Sequence, residues 1–304
     1  MNKTGIEYLT HTWNPIAMRC TKVSPACDHC WHLAMCKRMA NNPNLSEERR
    51  AAYAGGAPTL LKHELVAPTQ LRRQKAVIGV QFMGDLFHED VPFEWIEQVW
   101  NVMYNSAYRF QKQHTFVVLT KRPERAREFF AQLEPSVFGG RNKYVQKPLL
   151  NVIGMVTVEN QEQLDRRVPI LLDLPFQRRG ISAEPLLGAI AVSPFLGYCL
   201  DCDDYISEHR EYGDLYHDDN RLDWVIVGGE TGPGARPMHP ESVRQVRDQC
   251  VEAGVPFFFK HWGTGDPGPG ARANANVAGW DEYERGNGHL LDGQEWHQMP
   301  EGVR

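Results

Sequence analysis

Short apolar runs, each closing on polar or glycine-rich residues and each followed by a stretch of helical periodicity, recur along this chain and constrain its fold more than any other feature. Residues 77–83 run into Gly84-Asp85-Leu86-Phe87-His88-Glu89. A stretch over 91–108 follows, with Phe93, Ile96, Val99, Trp100 and Met103 on one helical face. The same beat returns at 115–119 before Thr120-Lys121-Arg122-Pro123, with helical spacing over 124–133, and at 151–156 before Thr157-Val158-Glu159-Asn160, with helical spacing over 161–172. It returns again at 179–183 before Glu184-Pro185-Leu186, at 224–227 before Gly228-Gly229-Glu230-Thr231-Gly232 and a helix over 240–253, and at 255–259 before Lys260-His261-Trp262-Gly263. Strands that alternate with amphipathic helices pair in parallel and are covered by those helices, and their carboxyl ends are where such folds place chemistry. With the run 6–13 as the first strand, seven strands are expected. The expected class is α/β, a partial parallel (βα)6-type TIM-like barrel. The competing doubly wound open sheet is disfavoured because no Gly-x-Gly-x-x-Gly follows the first strand.

Between the first strand and the rest lies a loop that bears three cysteines, Cys20, Cys27 and Cys30, spaced Cys-x6-Cys-x2-Cys. Three thiols in so short a span favour a soft metal, zinc or an iron–sulfur cluster. Arg19, Lys22, Asp28 and His29 make the loop too polar for thiols that merely pack. A closed zinc site needs a fourth ligand, which Cys36, His29 or His32 is near enough in sequence to supply. A cluster held by three thiolates instead leaves one iron for a substrate or cofactor. The loop alone does not separate these. A helix is expected over 30–40, stopped by Asn41-Asn42-Pro43, and a polar connection over 45–74.

The chain's 304 residues suit one barrel, and 42% hydrophobic content fills a large core. With 33 basic and 38 acidic residues the formal net charge is −5, so no global positive field draws it to nucleic acid. The basic pairs Arg49-Arg50, Arg72-Arg73, Arg166-Arg167 and Arg178-Arg179 read for the most part as solvated helix faces. An odd cysteine count of seven points to metal or redox chemistry in a reducing compartment. No apolar run has the length of a membrane helix and the first residues lack a signal-peptide core, so a cytoplasmic protein without membrane contact is expected. Residues 1–263 are expected to form the barrel, interrupted by an acidic insertion over 193–220. There Cys199 and Cys202, with His209 or His217, form a weak candidate for a second zinc. Residues 264–304, rich in Gly, Asn and Asp, are expected to wrap the surface or fray.

A three-cysteine loop after strand one of a partial parallel barrel resembles the radical SAM superfamily, with a wider first gap than that superfamily's usual Cys-x3-Cys-x2-Cys and with His29 where an aromatic residue often precedes the third cysteine. Trp13-Asn14-Pro15, Asp85-Leu86-Phe87-His88, Thr120-Lys121-Arg122-Pro123, Val158-Glu159-Asn160, Glu184-Pro185-Leu186 and the stretch Gly228-Gly229-Glu230-Thr231-Gly232-Pro233-Gly234-Ala235-Arg236-Pro237 together resemble a phage-associated family named for its three-cysteine motif and compared with spore photoproduct lyase. The resemblance implies that Cys20, Cys27 and Cys30 ligate a [4Fe–4S] cluster, that S-adenosylmethionine binds its open iron, and that one electron yields a 5′-deoxyadenosyl radical. It further implies an electron donor such as flavodoxin or ferredoxin.

By position, Trp13, Asn14, Gly84 and Asp85 would serve the cofactor, Asp85 by receiving its amino group. Lys121 or Arg122 would pair with its carboxylate, Thr157, Glu159 and Asn160 with its ribose, and Gly228 and Gly229 would let its adenine approach. Glu184, Glu230 and Lys260, as catalytic candidates, together with Arg236 and His261, are left for the substrate. The substrate expected is a nucleobase, nucleotide or nucleic acid in phage DNA modification, within a host-cell cytoplasm. The motives are the phage association and the aromatic and basic residues Trp13, Trp31, Phe87, His88, Arg122, Arg236, His261 and Trp262 near strand ends. Two other functions compete: a zinc-stabilised nucleic-acid-binding or accessory protein with Cys20, Cys27, Cys30 and Cys36 closing the site, and a metal-dependent hydrolase, which would want more His and Asp at its strand ends.

Overall fold

A computed structural model describes residues 1–71, 75–108, 114–133, 149–199, 204–205, 221–265 and 288–303. Its centre is one eight-stranded sheet: β1 (Asn2–Lys3), β2 (His11–Trp13), β3 (Val77–Val80), β4 (Thr115–Thr120), β5 (Leu149–Thr157), β6 (Phe176–Ala183), β7 (Trp224–Gly228) and β8 (Phe257–His261). The spatial order follows the sequence from β1 to β8. Only the β1–β2 pair is antiparallel, so the other seven strands run parallel. β1 and β8 are the two edges and do not pair, so the sheet is open.

Parallel neighbours joined in sequence by right-handed crossovers carry their helices on one face. Helices α3 (Phe93–Tyr108), α4 (Pro123–Gln132), α5 (Gln161–Asp173) and α6 (Pro240–Glu252) fill that role. Their Ile96, Val99, Trp100, Phe129, Leu164 and Val243 pack on Ile78, Val80, Phe116, Val118, Ile181, Val227 and Phe259 in the main core. With period-two alternation, the intervening residues Val77, Val117, Ile153, Met155, Trp224, Ile226 and Phe258 face the other way. There they form a second core, roofed by Tyr8, Leu9 and Val303.

The first strand is shorter than the apolar run suggests: residues 6–10 leave the sheet, and Tyr8 folds over the inner face, edge-on to Trp224 and Phe258, each at 5.6 Å. The stretch 45–74, expected as a plain connection, holds structure. α1 (Trp31–Ala40) packs with α2 (Glu47–Ala54), and Thr59–Leu60 pairs antiparallel with Ile16–Ala17. Ser46 caps α2 by accepting from Arg49 N–H at 3.3 Å, and Gly55 ends it with a φ of 110°. A small third core of Ala17, Cys36, Ala52, Tyr53 and Leu61 sits under the pair. Of the segment expected to wrap or fray, residues 288–303 wrap and are partly buried. Trp296 C=O accepts from Phe259 N–H at 2.7 Å and Gln298 C=O from the Trp224 indole at 3.0 Å, which covers the β8 edge and the inner face. The 193–220 insertion, with its cysteine and histidine candidates, lies largely outside the described residues. Tyr198–Cys199 pairs with Asp204–Tyr205 there. No helix among the described residues is long and apolar enough to cross a membrane.

Candidate functional site

A cleft of about 440 Å³ opens at the carboxyl ends of the parallel strands. Cys20, Cys27 and Cys30 line it, as do Gly84, Asp85, Lys121, Arg122, Thr157, Glu184, Gly229, Glu230, Lys260 and His261, so most of the residues singled out by position along the chain meet in one place. Trp13, Asn14, Glu159, Asn160 and Gly228 do not line it.

The cysteine loop is anchored by the strand ends beneath it. At the end of β4, Arg122 donates to the Cys20 thiol at 3.5 Å, to Thr21 C=O at 3.3 Å and to the Thr21 hydroxyl at 2.7 Å. That hydroxyl donates to Glu89 Oε1 at 2.9 Å, and Arg122 Nε donates to Glu89 Oε2 at 2.9 Å. Beyond β5, Glu159 accepts from Ala26 N–H at 3.3 Å while its other oxygen takes Arg167 at 3.0 Å. Beyond β7, Arg236 forks onto Glu230 at 2.6 and 2.9 Å and donates to Pro25 C=O at 2.8 Å. The Cys20 N–H donates to His32 Nε2 at 3.3 Å.

This network gives several residues partners other than those expected. Asp85 is saturated: Phe87 N–H, the Thr120 hydroxyl, Lys121 N–H and Arg122 Nη1 all donate to it, at 3.0, 2.8, 3.0 and 3.2 Å. A carboxylate with four donors has no lone pair left for a cofactor amine, so Asp85 positions Arg122. Trp13 is buried and gives its indole N–H to Glu64 C=O at 2.7 Å, and Asn14 accepts from Met83 N–H at 2.7 Å. The Trp-Asn-Pro motif therefore ties the end of β2 to the turn after β3. Asn160 caps α5 by accepting from Gln163 N–H at 3.0 Å. Gly229 is demanded by the protein itself, since a Cβ there would lie 1.8 Å from Trp262 C=O. Trp13, Phe87, His88 and Trp262, part of the aromatic supply expected near the strand ends, are buried at 0 or 1% exposure and present no face to a ligand.

Across the cleft from the loop, Lys260 is ion-paired with Glu184, and His261 Nε2 lies 3.7 Å from the same carboxylate. Burial pushes the Glu184 carboxyl up, but Lys260 and His261 outweigh it and hold the group below the usual range. Burial pushes the Cys20 thiol up to about 12, Asp85 adding to it and Arg122 opposing it. Cys36, offered as a fourth ligand, does not line the cleft: it lies on the buried face of α1, packed with Ala52 and Tyr53 of α2, with its thiol 3.3 Å from His32 Nε2.

The structure also assigns roles that sequence reasoning did not give. Arg167, one of a basic pair expected on a solvated helix face, is instead buried in an ion pair with Glu159. Its signal was an arginine three places after Leu164 and four before Leu171, on the face of α5 that should be apolar. Gln81 gains a role too: with a φ of 55° just past β3, its side chain accepts from Ile16 N–H at 3.1 Å and donates to Ile16 C=O at 2.7 Å, which sets the chain's entry into the cysteine loop.

Fold and site together define an α/β protein with a sequentially ordered parallel sheet and a thiol-lined cleft at its strand ends. Residues 3–300 match the family model described as "Protein of unknown function (DUF5131)", and the chain belongs to that family. No curated protein and no solved structure matches it.

Proposed function

We propose that this protein is a radical S-adenosylmethionine enzyme, its sheet a partial (βα)6-type barrel and Cys20, Cys27 and Cys30 the ligands of a [4Fe–4S] cluster. One observation carries the reading. The loop after the first parallel strand delivers three thiols to a single cleft at the strand ends; of the alternative fourth ligands, His29 and His32 line it too and Cys36 does not, and His32 Nε2 is already engaged by the Cys20 N–H at 3.3 Å. That donor set fits a cluster with one iron left open. Among the described residues no group of three or more His, Cys, Asp or Glu side chains forms a ready metal cage. With S-adenosylmethionine bound, such a group supplies one-electron cleavage of a carbon–sulfur bond.

The chain's own residues hold and shape this chemistry. Arg122, Glu159 and Arg236 fix the two limbs of the loop from three different strand ends. Arg122, whose Nη1 serves both Cys20 and Asp85, adds positive charge beside the Cys20 sulfur and favours its thiolate. Lys121 and Thr157 remain on the cleft wall for the cofactor's polar groups, while Glu184, Lys260 and His261 face the substrate. Ile6, Leu119 and Phe82 give the cleft an apolar flank from which water is displaced when a ligand enters.

The experiment is metal and turnover analysis of protein purified without air. Iron and sulfide near four per chain, with 5′-deoxyadenosine formed on reduction with S-adenosylmethionine, bear the reading out. Stoichiometric zinc with no iron overturns it in favour of a zinc-stabilised accessory protein. Nucleotides and DNA are the first substrates to offer, scored by stimulated 5′-deoxyadenosine formation and a mass change in the substrate.

A further inference from the structure

Tyr8 and Ser182 are buried at 3 and 2% exposure, and both line the cleft. Among the described residues neither hydroxyl forms a hydrogen bond, and neither oxygen is sealed inside the protein, so each opens onto the cleft. The core asks for neither. A phenyl ring would make the same edge-on contacts that Tyr8 makes with Trp224 and Phe258, and Ser182 lies in register with Ile226, a member of the apolar inner core. A buried hydroxyl without a partner is destabilising, and native structures supply one. The partner that Tyr8 and Ser182 lack is therefore a ligand.

Glu184 stands beside them. It continues the alternation of β6 two residues past Ser182, which puts the two side chains on one face about 7 Å apart. Lys260 donates to its Oε1, and its Oε2 forms no hydrogen bond among the described residues. The charges at this end of the cleft balance: Lys260 offsets Glu184, while Arg122 and Arg236 occupy Asp85 and Glu230. Two more charges reach it and oppose each other, Lys121 from the cleft wall and Glu7 from an exposed position outside the lining. The ligand group that fits here is thus neutral, with an acceptor for two hydroxyls and a donor for a carboxylate oxygen. A ring amide has both on one edge. An open-chain amide is trans and sets its C=O and N–H on opposite sides, so it offers one or the other. An apolar ring body suits the flank of Ile6, Phe82 and Leu119.

We propose that this end of the cleft binds its substrate by a ring amide, the CO–NH edge of a lactam, imide or ureide, whose carbonyl accepts from Tyr8 and Ser182 and whose N–H donates to Glu184 Oε2. The inference rests on the proposed function in taking the wall of Glu184 and Lys260 as the substrate side, and it holds whichever metal the cysteines carry. Ser182 pairs in register with Thr157, the residue left on the wall for the cofactor, so the bound ring lies one strand away from it.

The test is equilibrium binding to the protein as purified without air, with and without S-adenosylmethionine and with no reductant. The probes are uridine and succinimide, each beside its N-methylated form, 3-methyluridine and N-methylsuccinimide, which keep the carbonyls and lose the N–H. At least one ring amide should bind, and its methylated form at least tenfold more weakly, because a site built to hydrogen-bond a group rejects the analogue that lacks it. Tyr8→Phe and Ser182→Ala should each weaken that binding at least fivefold while the urea midpoint stays level or rises, since each removes a buried hydroxyl that has no protein partner. A lowered midpoint in both variants would give the hydroxyls a role in the fold and overturns the subsite. So do equal affinities for the methylated and parent rings, unchanged binding in both variants, failure of both ring amides to bind, or tighter binding of acetate, phosphate or the open-chain N-methylacetamide. None of these touches the radical reading, which iron content and 5′-deoxyadenosine decide. Stoichiometric zinc with the discrimination intact would sink that reading and keep the subsite.

Discussion

Arg122 carries more of the site than any other side chain, because its five donors serve a thiol, a backbone carbonyl, a hydroxyl and two carboxylates at once. Arg122→Ala would leave Asp85 buried without its cation, a loss of about 3–5 kcal/mol by analogy with broken buried pairs. It would also free the first limb of the loop, so iron retention should fall with stability. Arg122→Lys keeps the charge but not the fork and should recover stability more than iron content, as read by urea unfolding and metal analysis. Glu89 offers a pH test. Burial pushes its carboxyl up, but its hydrogen bonds to backbone and Thr21, together with Arg122, hold it at about 2, against an ordinary value of 4.5. A depressed folded pKa means the unfolded chain binds more protons, so this stabilisation is complete above about pH 4.5 and is lost as pH falls toward 2. Because the side chain is half exposed, the effect is screened. Glu89→Gln should flatten the acid limb of stability against pH by a fraction of one proton in that window, so that the variant is less stable than the parent at neutral pH and converges with it toward pH 2.

At the scale of elements, the beat of strand and helix was legible in the sequence because each buried strand is a run of Val, Ile and Phe and each helix shows an apolar stripe. Even so, the strand expected over 77–83 stops at Val80, where Gln81 turns to positive φ and spends its amide on Ile16. The structured stretch 45–74 was missed for a different reason. Its longest helix buries only Ala52 and Tyr53, against Ala17 and Cys36, and leaves no long apolar face for a periodicity search to find. The candidate residues were legible as a set, since strand ends in a parallel sheet converge. Their individual roles were not, because which carboxylate meets which cation depends on neighbours far apart in sequence. Glu159 shows this: placed by position at a ribose, it instead links α5 to the cysteine loop through Arg167 and Ala26. Glu159→Ala should cost about 3–5 kcal/mol, since Arg167, at 2% exposure, is left charged and unpaired. The double variant Glu159→Ala/Arg167→Met should regain much of the stability while iron binding stays impaired, because Ala26 N–H still lacks its acceptor. Equal recovery of both properties would mean that Glu159 acts on the fold alone.

For the whole molecule, the open sheet has two faces to cover, and among the described residues its long helices α3 to α6 pack on one of them. The inner face is roofed by two segments from opposite ends of the described chain, the turn bearing Tyr8 and Leu9 and the stretch 288–303. Phe257 N–H donates to the Gln298 side chain at 3.0 Å, His297 stacks on Phe258 at 4.6 Å, and Val303 enters the same core as Trp224 and Ile226. Removing residues 294–304 would bare the outer side of β8 and part of that core. Fully burying a single large apolar side chain is worth about 1.5–3 kcal/mol, and at least Phe258 and Trp224 would lose cover, so the loss should be on the order of 3 kcal/mol or more. The loss should reach the cleft too, since Tyr8 packs on Trp224 and Phe258 and also lines the cleft floor. The expected outcome is a truncated protein with a lowered urea midpoint and a loosened near-ultraviolet aromatic signal. Val303→Ser, which removes one contact and keeps the backbone bonds to β8, should fall between it and the parent. If truncation leaves both midpoint and aromatic signal unchanged, the inner core is held by the sheet and Tyr8 without help from the 288–303 segment.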